Sequence, residues 1–173
     1  NNLIDGGAQE RGKRASTENV AGIVGLAKAL ELATDHMEEN SKKTRALSQA
    51  LIKGLLEIPH TKLNGHPEKR LDNNVNISFF GVEGETILMD LNANGICAST
   101  GSACASGSLD PSHVLLSIGL KHEEAHCSIR LTLDAENTME DVDYIIQVMK
   151  DRLAFRRMMS PLYEDILKKE QQA

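Results

Sequence analysis

Apolar residues early in the chain recur every three or four positions, at Val20, Ile23, Val24, Ala27, Leu30 and Ala33. That spacing is the stripe of an amphipathic helix. Ser16 or Thr17 stands where an N-cap belongs, so the helix is expected to begin there. A polar stretch runs from Asp35 to Lys43, after which Leu47, Leu51, Leu55 and Leu56 form a second stripe that ends before Pro59. The two stripes read as two helices or as one bent helix.

The period then changes. Val75-Asn76-Ile77-Ser78-Phe79 alternates apolar and polar, which predicts a half-buried strand, and Thr61 to Asn64 reads as a short edge strand before the turn at Gly65-His66-Pro67. Beyond Gly81 and Gly84, Ile87, Leu88 and Leu91 predict a helix over residues 85–92, followed by a short strand from Gly95 to Ala98. Pro111 is placed to open a helix from Ser112 to Ile118, with Asp110 or a neighbouring polar group as its cap and Gly119 as its end. Glu123 to His126 reads as a turn, and Ser128 to Leu133 alternates as a strand. Thr138 with Asp141 resembles a capping box for a last periodic segment carrying Val142, Ile145, Ile146, Met149 and Leu153. Strands alternating with helices, without repeats, predict an α/β or α+β fold.

Composition narrows the classes of function. Apolar residues make up 40% and aromatic residues 3%, with no Trp, so the core is aliphatic and the chain has little with which to stack nucleobases. A net charge of −6 gives no general attraction for polyanions, and nucleic acid is not an expected partner. The apolar runs are far shorter than the roughly 20 residues of a membrane span. Three cysteines, at 97, 104 and 127, form no CxxC pair, and an odd count suits reduced thiols and a cytosolic setting. Because Asn1 leads almost at once into Gly6-Gly7, the chain is expected to be part of a longer protein.

Free cysteines are commonly small buried hydrophobes, and Cys97 and Cys127, beside predicted strands, fit that role. Cys104 differs. Its run, Ser99-Thr100-Gly101-Ser102-Ala103-Cys104-Ala105-Ser106, holds nothing large enough to wall it in, so a mobile, exposed loop is expected from Ser99 to Ser112. A thiolate there suits attack on a sulfur electrophile and delivery of sulfur, although a redox sensor or a metal ligand has the same local pattern. Gly6 to Thr17 joins glycines, cations and hydroxyls to a helix start, which suits an anion, and equally suits a capped helix with solvated arginines. Arg130 sits between Ile129 and Leu131 in a strand and calls for an anion, either a protein carboxylate, the more common arrangement, or that of a substrate. His122 and His126 share a helical face, but no cysteine or carboxylate pattern completes a metal site, and none is expected.

Taken in order, these segments resemble the NifS/IscS group of cysteine desulfurases, in the class V aminotransferase family of pyridoxal-phosphate enzymes. The resemblance rests on Gly6-Gly7 with Glu10-Arg11-Gly12, Arg14 and Thr17, then Asn76-Ile77-Ser78-Phe79 with Val82-Glu83-Gly84-Glu85. It continues through Ser99 to Pro111, Ala125-His126-Cys127-Ser128-Ile129-Arg130 and Ser160-Pro161-Leu162-Tyr163. Gln9 stands where relatives often carry His, and Ala15-Ser16 replaces the usual Ser-Gly before the Thr.

The resemblance implies the C-terminal part of a fold type I pyridoxal-phosphate transferase. Residues 1–16 would end the large cofactor-binding domain, 17–58 would form a long connecting helical segment, and 59–173 a small α/β (α+β) domain carrying the catalytic-cysteine loop. It implies that Cys104 attacks the substrate sulfur and carries a persulfide, that Arg130 holds the carboxylate of L-cysteine, and that Thr17 reaches the cofactor phosphate across a homodimer interface. The lysine that binds pyridoxal phosphate would lie upstream of Asn1, so this chain alone is expected to be inactive and without covalently bound cofactor. The implied partners are L-cysteine and a sulfur acceptor, such as an iron-sulfur scaffold or a thiolation enzyme, and the implied setting is cytoplasmic. A selenocysteine lyase would share nearly all these motifs. A non-catalytic fragment docking a scaffold through its Cys104 loop or its Ser160-to-Tyr163 tail is the reading from another class.

Overall fold

The structure is a computed structural model that describes residues 1–100 and 111–171. The chain divides into two compact units, residues 1–39 and 40–173. In the first unit, the Gly-rich start doubles back on itself: the Leu3 amide donates to the Lys13 carbonyl at 2.8 Å and the Ala15 amide to that of Ile4 at 3.1 Å, around a short 3-10 turn at Gln9–Gly12. Helix α1 spans Val20–Asp35. Its cap is Asn19, whose side chain accepts the Gly22 amide at 3.1 Å, and not Ser16 or Thr17. Ser16 has φ +82 and lies outside the helix, and Asn19 is the nearest short polar side chain to the first free amides.

Helix α2 spans Met37–Leu56, so the two predicted stripes are separate helices that break at His36. The polar stretch expected between them is itself largely helical, with Glu38 and Glu39 in the first turn of α2, where the helix dipole favours acids. The division between the units falls inside this helix.

In the second unit, β1 (Thr61–Leu63), β2 (Asn74–Phe79) and β3 (Ser128–Thr132) form an antiparallel sheet in the order β1-β2-β3. Val75 pairs with Leu131 and Ile77 with Ile129, which gathers the apolar positions of β2 and β3 on one face. The helices α3 (Gly84–Ala93) and α6 (Met139–Met158) join α2 on that face. Leu51 and Leu55, Ile87 and Leu91, and Val142, Met149 and Leu153 complete the core. Thr138 and Asp141 form the predicted capping box at the start of α6. Asp90 on α3 accepts two bonds from Arg156 on α6, at 2.7 and 2.8 Å.

The other face of the sheet is polar, with Asn74, Asn76 and Ser78 on β2 and Ser128, Arg130 and Thr132 on β3. Two short helices, α4 (His113–Ser117) and α5 (His122–His126), follow the 101–110 segment. Glu123 to His126 is therefore helical and not a turn, closed by a Glu124 carboxylate that accepts the Lys121 amide at 3.0 Å. The buried Ser78 and Ser128 hydroxyls donate to the carbonyls of Glu124 and Ala125, both at 2.7 Å.

Helix α7 (Pro161–Gln171) buries none of its own residues and is fastened at particular points. Tyr163 bonds His60 Nδ1 at 2.9 Å and lies 4.7 Å from the Arg157 guanidinium. Arg157, 6% exposed, donates to the carbonyls of Pro59, His60 and Phe80. At Gly81, φ is +88 and an added Cβ would stand 2.6 Å from the Tyr163 ring, so both the turn and the close approach require glycine.

The Asp90–Arg156 pair makes stability pH-dependent in a set direction. Hydrogen bonding to Arg156 outweighs burial and holds the Asp90 carboxyl below its ordinary value of 3.8. A depressed acid stabilises the fold above its unfolded value and loses that contribution as pH falls through its folded value. Asp90→Asn is therefore expected to lower the denaturation midpoint at pH 7, with the gap to the wild type narrowing once the pH drops below 3.8. Urea titrations at both pH values check this, and a gap that persists in acid would contradict it.

Candidate functional site

Arg130 occupies the middle of β3, where its neighbours Ile129 and Leu131 are buried in the core and its own side chain projects from the polar face. Its cross-strand partner on β2 is Asn76. On its outer edge, Arg130 exchanges two backbone bonds with Ser99: the Arg130 amide donates at 2.6 Å and the Ser99 amide at 3.1 Å. The Arg130 Nη2 lies 3.5 Å from the Ser99 hydroxyl. Among the described residues, no carboxylate forms an ion pair with Arg130. A guanidinium held by a strand and lacking a protein carboxylate there is available to an anionic ligand.

Ser99 is a single bridge residue. The strand predicted from Gly95 to Ala98 does not form, because Ile96, Cys97 and Ala98 run irregularly from the end of α3 and only Ser99 reaches the β3 edge. The next residue is held from another direction, where the Thr100 hydroxyl donates to the Glu85 carboxylate in the first turn of α3 at 3.2 Å. Gly84 makes this approach possible. A Cβ there would lie 2.8 Å from the Ser128 carbonyl, 2.9 Å from that of His126 and 3.3 Å from the Thr100 methyl. The chain leading toward Cys104 is thus tied to the arginine strand and to the start of α3.

Cys104 itself lies in 101–110, outside the described residues, as does Asp110, an expected cap of α4. On the far side of that segment, Pro111 and Ser112 precede α4, with Ser112 in the cap position. Thr17 belongs to the first unit and Arg130 to the second, and Thr17 is exposed. Near it, the Arg14 Nη1 donates to the carbonyls of Ser16 and Thr17, at 2.9 and 2.8 Å. That cation of the expected anion cradle is therefore engaged with its own loop.

The other two thiols separate. Cys127 is buried as expected, and burial, aided by Glu83, pushes its thiol above its ordinary value despite the amides of Gly81 and Val82. A thiol so raised is a poor nucleophile at neutral pH. Cys97 is exposed, contrary to the expectation of a buried strand position, because the strand that would have buried it does not form. His122 and His126 have ring centroids 6.3 Å apart, and among the described residues no group of three or more His, Cys, Asp or Glu could hold a metal. Sequence reasoning missed the Glu85–Thr100 tie, although Val82-Glu83-Gly84-Glu85 was already notable as a motif.

The class-V aminotransferase family matches residues 6–145. A "Cysteine desulfurase IscS" from Clostridium botulinum (strain Hall) is 60% identical over 174 residues, covering 99% of this chain and 44% of that protein. One from Methanosarcina thermophila is 57% identical over 160 residues, covering 92% and 40%. Among solved structures, a "NifS-like protein" superposes with a TM-score of 0.78 at 35% identity, over 89% of this chain and 39% of the other. A NifS-like protein from Rickettsia africae gives 0.76 at 32%, over 88% and 39%. The chain spans less than half the length of these curated relatives.

Gly84→Ala tests the close approach, since a methyl group wedged against two backbone carbonyls has no room to relax. We expect a loss of about 1–3 kcal/mol, typical of overpacking, measurable as a lower urea midpoint. Wild-type stability would show that the approach is not required.

Proposed function

The chain belongs to the class-V aminotransferase family, and from that premise we propose that the protein of which it is part is a cysteine desulfurase converting L-cysteine to L-alanine. The observation that carries the reading is Arg130, projecting from the polar face without a carboxylate partner among the described residues. The strand bearing it is bonded to Ser99, the residue from which the chain runs toward Cys104.

In this reading, Arg130 holds the substrate carboxylate, which fixes where the sulfur lies. The Cys104 thiolate attacks that sulfur. An S–S bond forms as the C–S bond breaks, the electron pair stays with carbon, and a proton follows to give alanine. Cys104 is left as a persulfide, which a thiol of an acceptor protein removes by a second attack on the outer sulfur. The buried and raised Cys127 thiol is unsuited to either step.

Pyridoxal phosphate would supply the electron sink that weakens the C–S bond. The exposed Thr17, close before the capped start of α1, suits the phosphate end of that group. The boundaries at residues 16 and 58 between a cofactor domain, a connecting segment and a small domain belong to the same proposal. So does assembly as a homodimer, and so does a cytoplasmic setting, which the free thiols Cys97 and Cys127 suit. No helix among the described residues is long and apolar enough to cross a membrane.

In the complete protein, Cys104→Ser is expected to abolish both persulfide formation and alanine release from L-cysteine. Arg130→Gln removes a charge-assisted hydrogen bond of about 1.5–3 kcal/mol, so kcat/KM should fall roughly 10- to 100-fold. Unimpaired alanine production by the Cys104→Ser protein would sink the assignment.

A further inference from the structure

Beside Arg130, the polar face of the sheet opens into a cavity of about 290 Å³ reaching toward the β1–β2 turn and α4. Its walls include Asn64, His66, Lys69, Arg70, Asn74 and Arg130. The space is several times that of a water molecule, which occupies about 30 Å³ in the liquid. Among the described residues, all its charged lining residues are cationic, in a chain whose net charge is −6.

Among the described residues, neither Lys69 nor Arg70 forms an ion pair. Arg70 uses Nε and Nη1 on the carbonyls of Asn74 and Asn64, at 3.1 and 3.4 Å, which orients the guanidinium without neutralising it. Burial pushes this group below its ordinary range, as expected for a cation lacking a counter-charge. His66 Nδ1 accepts the amides of Glu68 and Lys69, both at 3.0 Å, so the proton of the neutral ring sits on Nε2.

A second, independent feature concerns acceptors. Asn64 is 3% exposed, and its Nδ2 donates to the Asn76 side-chain Oδ1 at 2.7 Å and the Ser78 hydroxyl at 2.9 Å. Among the described residues, its own Oδ1 and that of Asn74 are buried without a hydrogen-bond partner. Each such orphan costs about 1–3 kcal/mol until a donor arrives. Both asparagines are among the residues that line the cavity beside the cations.

We propose that this cavity is a binding subsite for a small oxyanion that also carries O–H or N–H donors, lying next to the position of the substrate carboxylate. Arg70 and Lys69 hold the negative charge, and Asn64 and Asn74 receive the donors. The location relative to substrate rests on the role proposed for Arg130, whereas the binding itself rests only on the cavity.

The probe is inorganic phosphate, which carries an O–H donor near neutral pH, set against sulfate, which carries none. Backbone amide shifts of the 173-residue chain are followed at matched ionic strength. We expect saturable shifts at residues 64–74, tighter binding of phosphate than of sulfate, and a roughly tenfold loss on Arg70→Met, the scale of one charged hydrogen bond. Lys69→Met is the second variant, should Arg70→Met disturb the amide spectrum as a whole. Thr17→Val should leave the shifts at residues 64–74 unchanged, which separates this site from the glycine-rich start. Shifts that do not saturate, equal binding of the two anions, or binding indifferent to both variants would overturn the proposal. Cys104→Ser should bind phosphate like the wild type even if the complete protein proves to lack desulfurase activity, so the two readings fail separately.

Discussion

The register between β2 and β3 is the constraint on which the rest of the second unit depends. With Ile77 opposite Ile129 and Val75 opposite Leu131, every apolar residue of the pair enters one core, and Arg130 is turned to the other face beside Asn76. A slip of one residue would reverse all of these at once, placing a guanidinium among leucines and the apolar side chains in water. Burial of the core therefore orients the arginine as a consequence of packing elsewhere. The cost of misplacing it is the cost of unmaking the core.

Other features extend that orientation outward. The β3 edge takes Ser99 by two backbone bonds, and α3, packed on the apolar face, takes Thr100 through Glu85. Gly84 allows the start of α3 to lie against the carbonyls that flank β3, and Gly81 allows the same turn to meet Tyr163 of α7. Arg157 joins the two sides by capping three carbonyls with one buried guanidinium. The chain leading toward Cys104 thus starts from residues tied both to the sheet edge and to α3.

The three cysteines illustrate how environment divides chemically identical groups. Cys127 is buried below the β2–α3 turn and its thiol is raised. Cys97 is exposed in an irregular stretch. Cys104 is distinguished by its sequence surroundings and by the tied residues that precede it. The arginines differ likewise: Arg157 on α6 donates to three carbonyls and lies over the Tyr163 ring, while Arg70 and Arg130 on the polar side of the sheet keep donors in reserve.

Much of this was legible along the chain, and the division follows a physical line. Periodicity is local, so it located α1, α2, α3, α6 and the strands β2 and β3, and it identified Arg130 as a cation that alternation must turn away from the core. The capping box at Thr138 was likewise readable from near neighbours. What failed were chiefly features set by distant partners, with a local exception at the start of α1. Gly95 to Ala98 had strand-like composition but found no pairing edge until Ser99, which left Cys97 exposed, and Asn19 displaced Thr17 as cap because backbone geometry at Ser16 delayed the helix. The union of Arg70, Asn64 and Asn74 with Arg130 around one cavity was beyond sequence patterning, because it depends on how a turn, two strands and α4 converge in space. Sequence by itself determined which residues seek an anion and which seek the core; only the tertiary structure decided which of them meet, because hydrogen-bond and charge partners are chosen by proximity that packing creates.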